Sequence, residues 1–494
     1  TESNPAMALV GDEADSQHLL NEGRASLDGS DVENETKSSG DVLLTFKINN
    51  GFLYRCITTS AFGSLLLGFD LGIISGALIP LEDDLNLTRV QVEFVTSSII
   101  FASIIGSLVA GVVADTLGRK IGLMMAAAIF FAGSLGMALS PNFDVLITWR
   151  VVTGIAVGMG LVICPIFCAE LAPRRERGRL TSFNEMFINV GIPIAYLVGL
   201  TLRGIPNDWR WMLAAGAFPA MFLFVMTCLM PESPNYLLKQ GKTAEARAIV
   251  ERLVDESEDP QVKEAVVRQT LSEMKRDMNS NENMATWTEM FMAKENRAPL
   301  FIGLGFSILT QLPGIDSIIF YSVYTLSTYG VDEDLALKVT LAMGLLKLGF
   351  TILTAIFVDS GNVGRRLPVI VGGFVGVIAM GIMAVSAMYP HSATTEVLLI
   401  FGMLLFVSAF GLGYGPMCWL ILAEIFQGPY RSKGMSLGSV VNRLGSFTIA
   451  STYLTLVSVL GFGGTFTLYM LIGIVSVSFA YAFVPDLTGK TMGV

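Results

Sequence analysis

From residue 56 onward the chain alternates between long apolar runs and short polar connections. Twelve of the runs reach about 20 residues or more, the length a helix needs to cross the hydrocarbon core of a bilayer. They cover roughly 56–79, 92–113, 121–140, 145–170, 184–203, 211–230, 299–325, 336–358, 367–388, 396–424, 434–459 and 463–484. Six runs come first, then a polar stretch, then six more. The pattern predicts an all-α membrane protein: one six-helix bundle over 51–230 and another over 299–484. In the stretch 231–298 the apolar positions of PESPNYLLKQGKTAEARAIVERL and the residues after it recur at helical spacing, which predicts short amphipathic helices on one membrane face.

Composition supports this class. Only 15% of the 494 residues are charged, against about 25% in a soluble chain, and 52% are hydrophobic. The net charge of −10 arises largely outside the apolar runs. Residues 1–50 are rich in Asp, Glu, Ser, Gly and Asn and poor in large apolar groups, so they are expected to form a disordered acidic tail. That segment lacks the basic start and apolar centre of a secretory signal. Residues 485–494 read as the start of a C-terminal tail. The cysteines Cys56, Cys164, Cys168, Cys228 and Cys418 all fall inside predicted helices, with no disulfide or metal-ligand spacing. The histidines are His18 in the tail and His391 in a loop, so proton chemistry within the bilayer falls to carboxylates. The glycine-rich stretches follow no strand, which argues against a nucleotide site and assigns them to close helix contact. No nucleophile–base constellation suggests an enzyme. Neither a cofactor nor a nucleic-acid partner is expected.

Basic residues concentrate in alternate connections. Arg119 and Lys120, Arg174, Arg175, Arg177 and Arg179, Arg365 and Arg366, and Arg431 and Lys433 share one side. The other side has only Arg89, Arg203, Arg210 and Lys338. The excess of positive charge places the first side, both termini and the 231–298 stretch in the cytoplasm. Asn86-Leu87-Thr88 then lies outside, either as an N-glycosylation site or as a chance match. The halves also echo each other. Asp115, Arg119 and Lys120 follow the second run as Asp359, Arg365 and Arg366 follow the eighth. Glu170 precedes Arg177 by the same step that Glu424 precedes Arg431. Matched motifs in two six-helix halves indicate a parallel repeat. Such carboxylate–guanidinium pairs at helix ends are expected to form a cytoplasmic gate that latches one half to the other. Two extra residues between Asp359 and Gly364 set the second copy apart from the first.

Eight stretches occur in a fixed order: GFDLGIISGAL (68–78), ADTLGRK (114–120), RVVTGIAVGMG (150–160), PIFCAELAPRRERGR (165–179), PESPNYLL (231–238), QLPGIDSIIFYS (311–322), GYGPMCWLILAEIF (413–426) and PDLTGK (485–490). In these the chain resembles the sugar porter family of the major facilitator superfamily, over about residues 50–490. The resemblance implies the major facilitator fold, a central solute site between the bundles and alternating access, with a sugar or polyol as solute and plasma membrane as location. It further implies a monomer that exchanges a small polar organic solute and a proton across the lipid bilayer. In proton-coupled members an aspartate in the first helix pairs with an arginine in the fourth. Here these are Asp70 and Arg150. A carboxylate at mid-bilayer is costly and marks a functional site; a permanent ion pair holding two helices is the plainer alternative.

Carried over by position, the family's solute site becomes Glu185, Thr310, Gln311, Asp316, Phe320, Tyr321, Lys347, Trp419, Asn442 and Arg443. Four of these depart from the family's amides and aromatics by being charged: Glu185, Asp316, Lys347 and Arg443. An isolated charge at mid-bilayer costs about 3 kcal/mol or more, whereas balanced charges sharing a wet site cost less. They either neutralise one another around a neutral solute or meet a charged or zwitterionic one. A transport-inactive nutrient sensor on the same scaffold is the remaining reading.

Overall fold

The computed structural model describes residues 48–173, 180–181, 183–255, 257–280, 286–359, 364–426 and 430–485. The first half comprises α1 (Asn50–Leu85), α2 (Arg89–Thr116), α3 (Arg119–Ala138), α4 (Phe143–Leu171), α5 (Phe183–Leu202) and a sixth span made of α6 (Asp208–Ala215) and α7 (Ala217–Leu229). The linker carries α8 (Pro234–Lys239), α9 (Thr243–Leu253), α10 (Pro260–Ser280) and α11 (Trp287–Met292). The second half comprises α12 (Arg297–Gln311), α13 (Ile315–Thr328), α14 (Glu333–Asp359), α15 (Arg366–Met388), α16 (Ala393–Leu412), α17 (Tyr414–Ile425) and α18 (Arg431–Phe483).

Among the described residues, eleven segments are long and apolar enough to cross a membrane, with the end of the chain counted once. That last helix, α18, has 53 residues. Straight, it would span about 80 Å, more than twice the hydrocarbon core. It instead breaks at Gly461, whose φ of 71° lies in the left-handed region. Beyond the break the chain returns to the end it came from. Arg366, at the start of α15, donates to the carbonyl of Tyr481, and the Phe301 and Phe483 rings meet edge-on at 5.2 Å. Thus α18 holds the eleventh and twelfth spans, and the twelve expected passes are present.

Two expected spans are single passes in two pieces. The seventh is interrupted by Leu312, Pro313 and Gly314 between α12 and α13, and the tenth at Gly413 between α16 and α17. Gly314 has φ 95°, and a Cβ there would lie 2.5 Å from the Tyr469 ring, so no other residue fits. The interruption leaves Gln311 and Asp316 flanking non-helical backbone inside the protein, where such backbone is tolerated at bilayer depth.

Glycines set the tightest crossings of the first half. A Cβ on Gly68 of α1 would fall 1.9 Å from the Ile188 carbonyl oxygen of α5. Added to Gly158 of α4, one would fall 2.1 Å from the Ser103 carbonyl oxygen of α2. The GIAVGMG stretch therefore serves close helix contact, as expected from its composition.

The linker helices are amphipathic. Ala246, Ile249, Val250 and Leu253 of α9 are buried in one cluster with Phe52 and Leu53 of α1 and Leu171 of α4. Arg252 lies over the Phe52 ring at 4.3 Å. Met290 of α11 packs instead with Phe306, Cys418 and Phe426 of the second half. The linker thus touches both bundles at the end of the molecule that carries Arg119 and Arg365.

Candidate functional site

The two halves meet through α1 against α13, α5 against α14 and α2 against α18. In the first half, Asp70 of α1 and Arg150 of α4 form an ion pair, with Arg150 Nη1 2.9 Å from Oδ1 and 3.2 Å from Oδ2. The side chains are 2% and 0% exposed. Arg150 Nε donates to the Val95 carbonyl of α2 at 2.9 Å, while Nη2 is buried without a partner. One guanidinium therefore joins three helices around a carboxylate at mid-span.

The other charges come together between the halves. Lys347 on α14 feels the charges of Glu185 on α5, Asp316 on α13 and Arg443 on α18. Two carboxylates and two cations from four spans thus share one region, as balanced charge at bilayer depth requires. Their local partners differ. Glu185 accepts from the Asn189 amide at 3.4 Å. Asp316 accepts a hydrogen bond from the Ser446 hydroxyl. Gln311 and Arg443 both donate to Asn442 Oδ1, at 3.0 and 3.1 Å, and Asn442 donates to the Ser307 carbonyl at 3.1 Å. Among the described residues no carboxylate oxygen lies within 4 Å of Lys347. Its ammonium faces the Phe410 ring at 5.6 Å.

Three further expected solute contacts are engaged within the protein itself. Thr310 donates back to the Phe306 carbonyl at 2.8 Å and borders a void of about 30 Å3 with Pro313, Phe410 and Tyr414, inside the second half. Phe320 is fully buried in the core. Tyr321 donates to the Ala450 carbonyl at 2.9 Å and stacks on Tyr453 with ring centroids 4.9 Å apart. The protein already engages its polar atom.

The repeated motifs form equivalent ion pairs. Arg119 at the start of α3 reaches Glu170 at the end of α4 at 2.8 Å and Asp115 at 3.5 Å, and donates to the Ala114 carbonyl. Arg365 before α15 reaches Glu424 at the end of α17 at 3.1 Å and the Val358 carbonyl at 3.4 Å. Both pairs tie helices of the same half, because the helix ends concerned are neighbours within one bundle. In this structure neither pair latches the halves together. Arg366 serves the α18 terminus, and Arg431 opens that helix at the surface. The side chain of Asp359, and Arg177 altogether, lie outside the described residues. Two residues of the PESP stretch that motif reading gave no role join the first pair. Glu232 accepts from the backbone N–H groups of Arg119 and Lys120, capping α3 with a negative charge, and Ser233 donates to Glu170.

Among the described residues, the polar contacts that join the halves lie at the end opposite the linker. The Ser75 and Ser322 hydroxyls are 2.9 Å apart, and Tyr196 donates to the Ile319 carbonyl at 3.2 Å. Arg203 pairs with Glu333. Glu93 of α2, 3% exposed, accepts from both the backbone N–H and the hydroxyl of Thr455 in α18, each at 2.7 Å. Sequence reading did not single out Glu93; its only signal is a carboxylate two residues into an apolar run. At the linker end a cleft of about 560 Å3 lies between α2 and α18, bordered by Leu108, Gly111, Asp115, Trp287, Lys433 and Ser436.

A paired-bundle arrangement of this kind, shut at one end with charges at its centre, is matched over nearly the whole chain. A family model described as "Sugar (and other) transporter" covers residues 56–493. The chain belongs to this family. The transporter is 31% identical over 461 residues to Polyol transporter 5 of Arabidopsis thaliana, spanning 90% of the chain and 85% of that protein. It is 30% identical over 436 residues to the D-xylose transporter of Levilactobacillus brevis, spanning 88% and 92%. Among solved structures, the partially occluded inward-open conformation of the xylose transporter XylE from E. coli superposes with a TM-score of 0.77. That match has 25% identity and covers 90% of the chain and all of XylE. The proton:xylose symporter XylE bound to 6-bromo-6-deoxy-D-glucose gives 0.73 at the same identity. The transporter is therefore a multi-pass integral membrane protein with the major facilitator fold, and it is not an enzyme.

Proposed function

We propose that this transporter moves a sugar or polyol together with a proton across the plasma membrane, as a monomer, by exposing a central site alternately to each side. The buried Asp70–Arg150 pair carries the coupling. Similar proteins are transporters of polyols and of xylose, and one structural neighbour is the proton:xylose symporter XylE. By the distribution of basic residues, the linker end and both termini are cytoplasmic. The structure then corresponds to an inward-facing arrangement, with its outer end closed by Ser75–Ser322, Glu93–Thr455 and Arg203–Glu333.

Asp70 links proton occupancy to that closure through its own helix. Five residues along α1, Ser75 makes a contact that joins the halves. A proton on Asp70 removes the charge that holds α1 to Arg150, and α1 is then free to shift against α4 and α13. Solute bound between Gln311, Asn442 and Trp419 biases the same interface from the second half. A proton moving with the membrane potential contributes about 2.3 kcal/mol per 100 mV. This reading gives Arg119–Glu170 and Arg365–Glu424 the task of keeping each bundle rigid at the cytoplasmic end while the halves rock.

The test is uptake into proteoliposomes under an imposed pH gradient. Wild-type protein accumulates labelled solute against its gradient. Asp70→Asn retains exchange of internal for external solute but loses proton-driven accumulation. Accumulation that survives in this variant removes Asp70 from the coupling role.

A further inference from the structure

Resting on the transport reading above, we propose that the solute is a sugar or polyol acid, a polyhydroxylated carboxylate whose anionic end docks between Lys347 and Arg443. Lys347 is only 7% exposed, and an ammonium carries three donors. Among the described residues none of those donors has a carboxylate within 4 Å, and the ammonium lies 5.6 Å from the centre of the Phe410 ring. Arg443 spends a donor on the neutral Asn442, and its Nε is buried without a partner. Each carboxylate of the site already accepts a hydrogen bond from the protein: Glu185 from Asn189, Asp316 from Ser446. Unmet capacity at the site is thus of two kinds, cationic donors on Lys347 and Arg443 and orphan acceptors on Gln311 and Asn189, and burying such groups unpaired is costly. A solute carboxylate relieves both cations at once, the guanidinium in a geometry suited to it.

The neutral part of the site selects the rest of the solute. Gln311 Oε1 is buried with no donor facing it, while its amide is held by Asn442. That orphan acceptor fits a hydroxyl. An ammonium-bearing solute gains least, since its partners would be the carboxylates that are already hydrogen-bonded. Charge balance favours a monoanion over a phosphate ester. Two cations and two carboxylates sum to zero, and one carboxylate arriving with one proton preserves that sum. A phosphate ester carries nearly two negative charges and would leave an excess.

Proton transport with a monoanion is electroneutral, which separates this proposal from uptake of a neutral sugar. The experiment uses full-length protein in proteoliposomes with labelled gluconate and glucuronate against xylitol and glucose, at fixed pH gradient, with and without a 100 mV potassium diffusion potential. Gluconate uptake should saturate at least 10-fold below xylitol, and the potential should leave its accumulation unchanged. A neutral solute carried with one proton would change roughly 50-fold over that potential. Lys347→Asn should reverse the preference toward xylitol, and Lys347→Arg should keep it. If Lys347→Asn is not recovered folded, Lys347→Arg and competition on the wild type decide. Accumulation of xylitol or glucose with gluconate neither accumulated nor competing, or equal handling of acid and neutral solute, overturns the proposal and leaves the transport reading standing. Uptake of neither class overturns both.

Discussion

Glu93 gives the sharpest test of how the halves close. Its carboxylate is buried and accepts two hydrogen bonds of 2.7 Å from Thr455, across the interface between α2 and α18. Hydrogen bonds to a charged group contribute about 1.5–3 kcal/mol each, net of the water they replace. Glu93→Gln keeps the shape but removes the charge. Its single carbonyl oxygen can serve only one of the two Thr455 donors, and its amide nitrogen, itself a donor, opposes the other. At least one bond is lost. These bonds exist only while the halves are together at this end, so the whole loss falls on the balance between closed and open forms. A loss of 1.5–3 kcal/mol shifts that ratio by roughly 10- to 150-fold. Spin labels at exposed Arg89 and Ser458, on either side of the seam, report it as a distance distribution. The wild type should show a short, dominant distance, and Glu93→Gln a large second population at longer range. Thr455→Val, which removes the hydroxyl and keeps the N–H, should fall between them. An unchanged distribution in Glu93→Gln, with the protein otherwise folded, would mean that the contact does not hold this end shut.

Three further outcomes follow from the geometry. Arg203→Gln removes an inter-half pair that is 30% and 34% exposed. Exposed pairs contribute about 0.2–1 kcal/mol, so the ratio of short- to long-distance populations between the same spin labels should change less than about 5-fold, well below the Glu93 effect. Gly68→Ala forces α1 away from the Ile188 carbonyl and should cost about 1–3 kcal/mol, read as a lower melting temperature in detergent; an unchanged melting temperature would show that the crossing has slack. Arg119→Ala should destabilise more than Arg365→Ala. Arg119 makes two bonds to Glu170 and is 10% exposed, whereas Arg365 makes one bond to Glu424 and is 26% exposed. Thermal unfolding of the two variants checks the order, with about 2 kcal/mol or more expected for the first and about 1 kcal/mol for the second.

The spans were legible because a bilayer imposes a length, and a helix that meets it must be apolar throughout. Even the reversal near residue 461 was visible, as a gap between the runs 434–459 and 463–484. The breaks at Leu312–Gly314 and Gly413 were not read as such. Hydropathy continues across them, and only the backbone shows that Gln311 and Asp316 sit beside a non-helical turn. The grouping of Glu185, Asp316, Lys347 and Arg443 came from matching positions to a resembling family, and in the structure Lys347 lies in the electrostatic field of the other three. The same matching put Phe320 and Tyr321 beside the solute; both are buried, and Tyr321 donates to the Ala450 carbonyl.

The largest departure concerns which charges join the halves. Motif symmetry pointed to Glu170 and Glu424, yet each pairs inside its own bundle, while Glu93, without a motif, crosses between bundles. The difference has a physical source. A charge in an apolar run announces that it needs a partner, but which helix supplies that partner depends on how closely the helices cross and at what height. In this chain those crossings are set by backbone contacts at Gly68 and Gly158, and by the turns at Gly314 and Gly461, all of them short-range features of residues with no side chain. Glycines fix the frame, the frame fixes which carboxylate meets which donor, and only then does a buried charge become a gate, a coupling site or a solute contact.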